Sequence, residues 1–195
     1  ARPAGAVGAG VKRGTGPGLA GSPSGCRGLA ASALALPGLT LPGLANAHSH
    51  AFQRAMAGLA ETRGDTGDNF WTWREVMYRF LERLDPDMAQ AIAAMGQVEM
   101  LEGGFTRVGE FHYLHHAPDG GAYDNPAEMA ARMAAAAEET GIGLTLLPVF
   151  YAHSNFGGLP PTDGQKRFIH DLDGFARLVE ACRAIVADLP EAVVG

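Results

Sequence analysis

From Leu41 onward the alternation of apolar and polar positions resolves into elements, whereas Ala1 to about Ser32 carries neither a strand nor a helix period. Leu44 to His50, following the Pro42-Gly43 breaker, reads as a short strand. Trp73, Val76, Met77, Phe80, Leu81 and Leu84 recur at spacings of three and four, which predicts one apolar helix face. Asp85 then offers an N-cap and Pro86 a first-turn proline for a second helix reaching Glu102, where Gly103-Gly104 stops it. Phe105 to Tyr113 reads as a strand. Asn125-Pro126-Ala127-Glu128 has the pattern of a capped start, so a third helix is expected from there to Thr140, ending at Gly141. Ile142 to Tyr151 is almost continuously apolar, as a strand covered on both faces should be. A fourth helix from about Gly174 to Leu189 leads into Ala192-Val193-Val194.

The order is strand, two helices, strand, helix, strand, helix, strand. Repeated βα units of this length imply parallel strands joined by right-handed crossovers, an α/β architecture. Periodicity alone does not separate a (β/α)8 barrel from an open doubly wound sheet. No glycine-rich phosphate fingerprint follows any strand, which argues against a dinucleotide fold. Three and a half units cannot close eight strands, so a barrel reading makes this chain the N-terminal part of one. The chain begins on Ala and ends on the strand-like Glu191 to Gly195, and both ends read as cut.

Composition changes the picture at the N-terminus. Of 27 glycines in 195 residues, 11 fall in residues 1–43, a stretch with four basic and no acidic side chains. Residues 1–34 are therefore expected to be a low-complexity Gly/Pro/Ala-rich segment that buries too little to order itself, or not native sequence, and residues 35–195 the folded unit. That segment makes a poor secretory signal, because its apolar run sits behind a long glycine-rich stretch. The body from residue 44 carries 11 basic and all 21 acidic residues, which argues against a nucleic-acid surface. No apolar run approaches the ~18 residues of a membrane span. With two cysteines, Cys26 and Cys182, a disulfide framework is excluded and a cytoplasmic setting is expected.

The sharpest chemical feature is Ala47-His48-Ser49-His50. On an extended chain residues i and i+2 project to one face, so His48 and His50 can offer two imidazole nitrogens to one metal ion. Their place at the end of a strand is where barrel enzymes keep their chemistry. Arg74, beside an apolar helix face, suits a bidentate pair with a carboxylate or a solvated salt bridge. Gln53 reads equally as a cap. Strand alternation places Glu110 and His112 on one face and Phe111 and Tyr113 on the other, so only one pair faces a barrel interior unless the strand has ended. His115, His116 and His170 are expected at the surface, His153 at most at a pocket edge, and Trp71 and Trp73 in the core or a pocket wall.

Four strings carry a resemblance to a known family: Leu41-Pro-Gly-Leu-Ala-Asn-Ala-His-Ser-His-Ala-Phe-Gln-Arg-Ala-Met-Ala-Gly-Leu-Ala60, Phe70-Trp-Thr-Trp-Arg-Glu-Val-Met-Tyr78, Glu110-Phe-His-Tyr-Leu-His-His116 and Gly141-Ile-Gly-Leu-Thr-Leu-Leu-Pro148. Together they resemble the amidohydrolase superfamily and, within it, the formimidoylglutamate deiminases of histidine degradation. The resemblance covers about residues 35–195. It implies the N-terminal part of a TIM-like barrel of the metal-dependent hydrolase type. It also implies hydrolytic deamination of N-formimino-L-glutamate to N-formyl-L-glutamate and ammonia. His48 and His50 would be ligands of one catalytic ion, zinc or alternatively iron. Gln53, Arg74 and Tyr113 would bind substrate, and Glu110 and His112 would be structural. The family's third histidine ligand, catalytic histidine and aspartate lie on later strands, so no catalytic residue is expected in these 195 residues and the piece alone should be inactive. The expected partner is a small molecule, with no nucleic acid and no membrane; a homodimer is compatible. Two alternatives stand beside this: a deaminase of a nucleobase or triazine-like ring, which would keep His48 and His50 without needing Arg74, and a non-catalytic metal-binding half-barrel.

Overall fold

A computed structural model describes residues 41–61, 67 and 69–195. The expectation for residues 1–34 lies outside them. Four strands, β1 (Leu44–Ser49), β2 (Phe105–His112), β3 (Gly143–Pro148) and β4 (Ala192–Val194), alternate with helices α1 (Phe70–Leu81), α2 (Pro86–Glu102), α3 (Glu128–Thr140) and α4 (Leu172–Val186). A short 3-10 turn, Ala51–Met56, follows β1 directly.

All strands are parallel, in the order β1-β2-β3-β4. This settles the question periodicity left open. A doubly wound sheet steps back across its first strand to place helices on both faces, whereas a barrel wall grows in one direction. Four strands laid down in chain order are a segment of barrel wall.

Local chemistry explains most boundaries. Asp85 Oδ1 accepts the Met88 N–H at 2.7 Å and Pro86 opens α2. At α1 the cap is Asn69, whose Oδ1 accepts from the N–H groups of Trp71 and Thr72, while Thr72 Oγ1 accepts the Asn69 N–H. The start of α3 differs from expectation. Asn125 Oδ1 is used up in a local turn on the Ala127 N–H at 3.0 Å, and the helix begins at Glu128 with no side-chain cap. The Glu128 carboxylate instead pairs with Arg132 at 2.8 Å. Strand β3 stops at Pro148, short of Tyr151, and Val149 then donates its N–H to the His112 carbonyl. Helix α4 starts two residues before Gly174, capped by Asp171, and ends at Val186.

The core lies between sheet and helices. Val108, Leu144 and Leu146 of the sheet meet Met129, Ala130, Met133, Ala134 and Ala137 of α3 and Leu178, Cys182 and Val186 of α4. Alanine and glycine on the buried face of α2, at Ala89, Ala93 and Gly96, let that helix lie close to its neighbours. Each fully buried Leu or Met there stabilises the fold by about 1.5–3 kcal/mol. Cys182 is fully buried, and burial pushes its thiol up to about 12, so it packs as a small apolar residue.

Candidate functional site

The site forms where β1 ends against β2. Between Asn46 and Ser49 the register slips, with three steps along β1 matching two along β2 from Val108 to Glu110. The extra residue is a bulge, which twists the strand end and re-aims its side chains. Gly109 permits it: a Cβ there would stand 3.1 Å from the Ala47 carbonyl oxygen that leans over it.

Beyond the bulge the Nε2 atoms of His48 and His50 lie 3.0 Å apart. The His48 ring stacks on Phe111, centroids 4.2 Å apart, and the His50 ring meets Tyr113 edge-on at 4.8 Å. His50 Nδ1 sits 2.8 Å from the Phe111 carbonyl, an acceptor only, so Nδ1 carries the proton and the Nε2 lone pair is turned toward His48. Burial lowers the His50 pKa, the Phe111 carbonyl opposes this, and the neighbouring His48 adds to the lowering. Both effects keep the imidazole neutral, the form that binds metal. Two nitrogens bound tetrahedrally at zinc distances would be about 3.3 Å apart, so the pair fits one ion. Among the described residues no group of three His, Cys, Asp or Glu side chains comes together to complete such a shell.

Gln53, on the turn after β1, donates its amide to Tyr113 Oη at 3.0 Å, and that hydroxyl donates to Met77 Sδ of α1 at 3.6 Å. The parity question at Tyr113 resolves itself. Of the two faces, the one that Phe111 and Tyr113 share by alternation is the one turned to the histidine pair. Glu110 and His112 face the other way, each 4% exposed. The Glu110 carboxylate accepts the Ala51 N–H at 2.8 Å, tying down the turn that follows His50. Burial pushes its pKa up to about 6 and pushes His112 down to about 4.

The structure therefore brings together His48, His50, Gln53 and Tyr113. Arg74 sits one helical turn before Met77, and no hydrogen bond or ring contact among the described residues joins it to Gln53 or Tyr113. Its Nε donates to Tyr78 Oη, and its guanidinium lies 5.8 Å from the Trp71 ring and 5.1 Å from the Tyr78 ring. Together with Gln165 and Asn155 these residues line a separate cleft of about 300 Å³. Trp71, 61% exposed, is cleft wall rather than core.

Three histidines expected at the surface are not there. His115 is 2% exposed, with Nε2 3.1 Å from the Val149 carbonyl, and its backbone N–H is bonded to Arg167. His116 Nε2 reaches the Ile169 carbonyl at 2.8 Å, and the half-buried His170 ring lies 4.5 Å from His116 and 5.0 Å from His115. The cause is residues 149–170, which fold back over the end of β2. No local sequence signal announces that packing. Phe111, whose ring and carbonyl both serve the histidine pair, was also not singled out; its alternation with Tyr113 was the available clue. His153 is exposed.

The chain is 54% identical over 149 residues to formimidoylglutamate deiminase of Pseudomonas aeruginosa, which covers 76% of this chain and 33% of that protein. It thus spans about a third of the relative's length. A solved amidohydrolase from Brucella melitensis shares 59% sequence identity at a TM-score of 0.76, over 78% of this chain and 34% of that one. The zinc complex of atrazine chlorohydrolase TrzN from Arthrobacter aurescens shares the fold alone, with 19% identity, a TM-score of 0.57 and coverage of 80% and 34%. With the family's own pattern matched across residues 39–189, a stretch that includes the histidine pair, the chain belongs to the amidohydrolase family.

Proposed function

We propose that the protein carrying this chain is a metal-dependent hydrolase that converts N-formimino-L-glutamate and water to N-formyl-L-glutamate and ammonia. The observation that carries the reading is the 54% identity to a formimidoylglutamate deiminase, joined to the paired Nε2 atoms of His48 and His50. These two imidazoles would hold one divalent ion, zinc by preference and iron as the alternative. When bound, such an ion supplies a Lewis acid that makes water nucleophilic near neutral pH.

This chain's residues position rather than transfer protons. His50 keeps its proton on Nδ1 against the Phe111 carbonyl, so its Nε2 stays a donor to the ion. Gln53 and Tyr113 form one hydrogen-bonded unit beside the pair and offer an amide and a phenol to the substrate's glutamate portion. Burial raises the Tyr113 pKa, which keeps it a neutral phenol across the working range. Arg74 supplies the charge that a carboxylate requires. As an acidic body can still hold a dianion where one guanidinium dominates locally, the overall charge is no obstacle. The cell compartment in this reading is the cytoplasm, and among the described residues no helix is long and apolar enough to cross a membrane.

The test is ammonia release by the intact protein with N-formimino-L-glutamate and, in parallel, with guanine and cytosine, alongside elemental analysis. Turnover of the first substrate alone, with one divalent ion per chain, is expected. Turnover of the ring compounds alone would overturn the substrate.

A further inference from the structure

The separate cleft at Arg74 holds one feature that the proposed reaction does not account for. Arg74 has no carboxylate partner among the described residues, although Glu75, exposed at the same cleft, is its chain neighbour. Its Nε is taken by a neutral group, Tyr78 Oη, one helical turn along α1. A carboxylate in that place would orient the guanidinium and also neutralise it. A phenol orients it and leaves the charge, and no hydrogen bond among the described residues takes its terminal N–H₂ groups. The Tyr78 pKa is raised, by burial first, so the phenol stays uncharged.

Tyr78 is itself fixed from outside the helix. The backbone of Gly164 lies flat against its ring: a Cβ on Gly164 would stand 2.4 Å from Cδ2 and 2.7 Å from Cγ. The next residue, Gln165, is fully buried. Its Oε1 accepts from the Thr162 N–H and hydroxyl at 2.9 and 3.0 Å, and its Nε2 donates to Tyr151 Oη at 3.2 Å. Phe168 packs near the ring with centroids 6.3 Å apart. The turn at residues 163–165 is thus anchored to its surroundings and clamps the phenol in one place.

We propose that Tyr78, held by the Gly164-Gln165 turn, is a positioning residue that presents the Arg74 guanidinium as the anchor for a substrate carboxylate. The inference rests on reading Arg74 as a substrate contact. It adds a specificity device that is built from α1 and the 163–165 turn, outside the histidine pair. Because the anchored carboxylate is remote from the scissile carbon, the device acts on binding equally in ground and transition states, which moves KM and leaves kcat.

The test uses the intact metal-loaded protein and N-formimino-L-glutamate. Tyr78→Phe removes the hydroxyl alone and should raise KM roughly 3–10-fold, as loss of one hydrogen bond does, with kcat within about twofold and the thermal midpoint nearly unchanged. Arg74→Ala should raise KM further, and Tyr78→Phe should add nothing in that background, since two residues acting through one interaction are not additive. Gly164→Ala should copy Tyr78→Phe where it folds; Tyr78→Phe, being nearly isosteric, stands without it. An unchanged KM in Tyr78→Phe while Arg74→Ala raises it would overturn the positioning role alone. An unchanged KM in Arg74→Ala would overturn the role of Arg74 and the positioning role with it.

Discussion

Two groups of histidines lie at the same end of the sheet, on opposite sides of β2, and their surroundings give them opposite properties. His48 is exposed and His50 half-buried, and their Nε2 atoms face each other at 3.0 Å. His112 and His115 are buried, and His116 and His170 pack beside them, with Nε2 of His115 and of His116 bound to backbone carbonyls. His112 Nε2, His115 Nδ1 and His170 Nε2 are buried without a hydrogen-bond partner. Residue type therefore says little about role. One pair has its Nε2 atoms turned toward one point, which is what a ligand needs. The other group spends its nitrogens on carbonyls or leaves them without a partner, which serves packing, and burial makes His112, His115 and His170 costly to protonate.

The comparison breaks most sharply under substitution of the pair. His48→Ala or His50→Ala should lower metal affinity by more than the roughly 10–100-fold that loss of an outer partner costs, abolish turnover, and leave the denaturant midpoint almost unmoved. His115→Ala should do the reverse. It leaves the Val149 carbonyl without its imidazole partner and opens a cavity, so stability should fall by about 2–3 kcal/mol while metal stoichiometry holds. Equal effects of the two substitutions on metal content would erase the distinction.

Acid sharpens it further. His112 titrates near 6.5 when unfolded and at about 4 when folded, so the unfolded chain takes up the proton first and stability falls as pH drops from 6.5 toward 4. His115 acts in the same direction. Glu110, at about 6 folded against 4.5 unfolded, acts in the opposite direction, because between those values the folded state holds the extra proton and stability rises as pH drops. Glu110→Gln should steepen the acid loss between pH 6 and 4.5, and a phenylalanine in place of His112 should flatten it, each by up to roughly 1.4 kcal/mol per pH unit. Urea melts at half-unit pH intervals would read both slopes. The smallest effect belongs to Phe111→Leu. The carbonyl that fixes His50 remains and only the stack under His48 is lost, so metal affinity should fall by less than about tenfold. A larger drop would show that the ring, not the carbonyl, sets the pair.

What could be read from the chain alone follows from how local the cause was. Helix α2 was legible at both ends because Asp85, Pro86 and Gly103 act within four residues of themselves. The His48-Ser49-His50 pair was legible because strand alternation is enough to bring two rings together, although the bulge that aims them was not. The start of α3 was misread since Asn125 had two local uses, cap or turn, and only packing chose between them. Burial of His115 was beyond reach, for it depends on Val149 and Arg167, far along the chain. Alternation put Phe111 and Tyr113 on one face, but which face turns to the pair depends on how β1 and β2 are paired, and that is set by packing. The phenol clamp on Arg74 similarly depends on a turn some 86 residues downstream of Tyr78.

The order of the strands has a kinetic consequence. Each of β2, β3 and β4 pairs with the strand made just before it, so no strand waits for a distant partner. The sheet can grow vectorially as the polypeptide leaves the ribosome, each βα unit docking on the last across its own crossover. His48 and His50 are then set against Phe111 once β2 is complete, and β3 and β4 add on the far side of β2 from the strand that carries the pair.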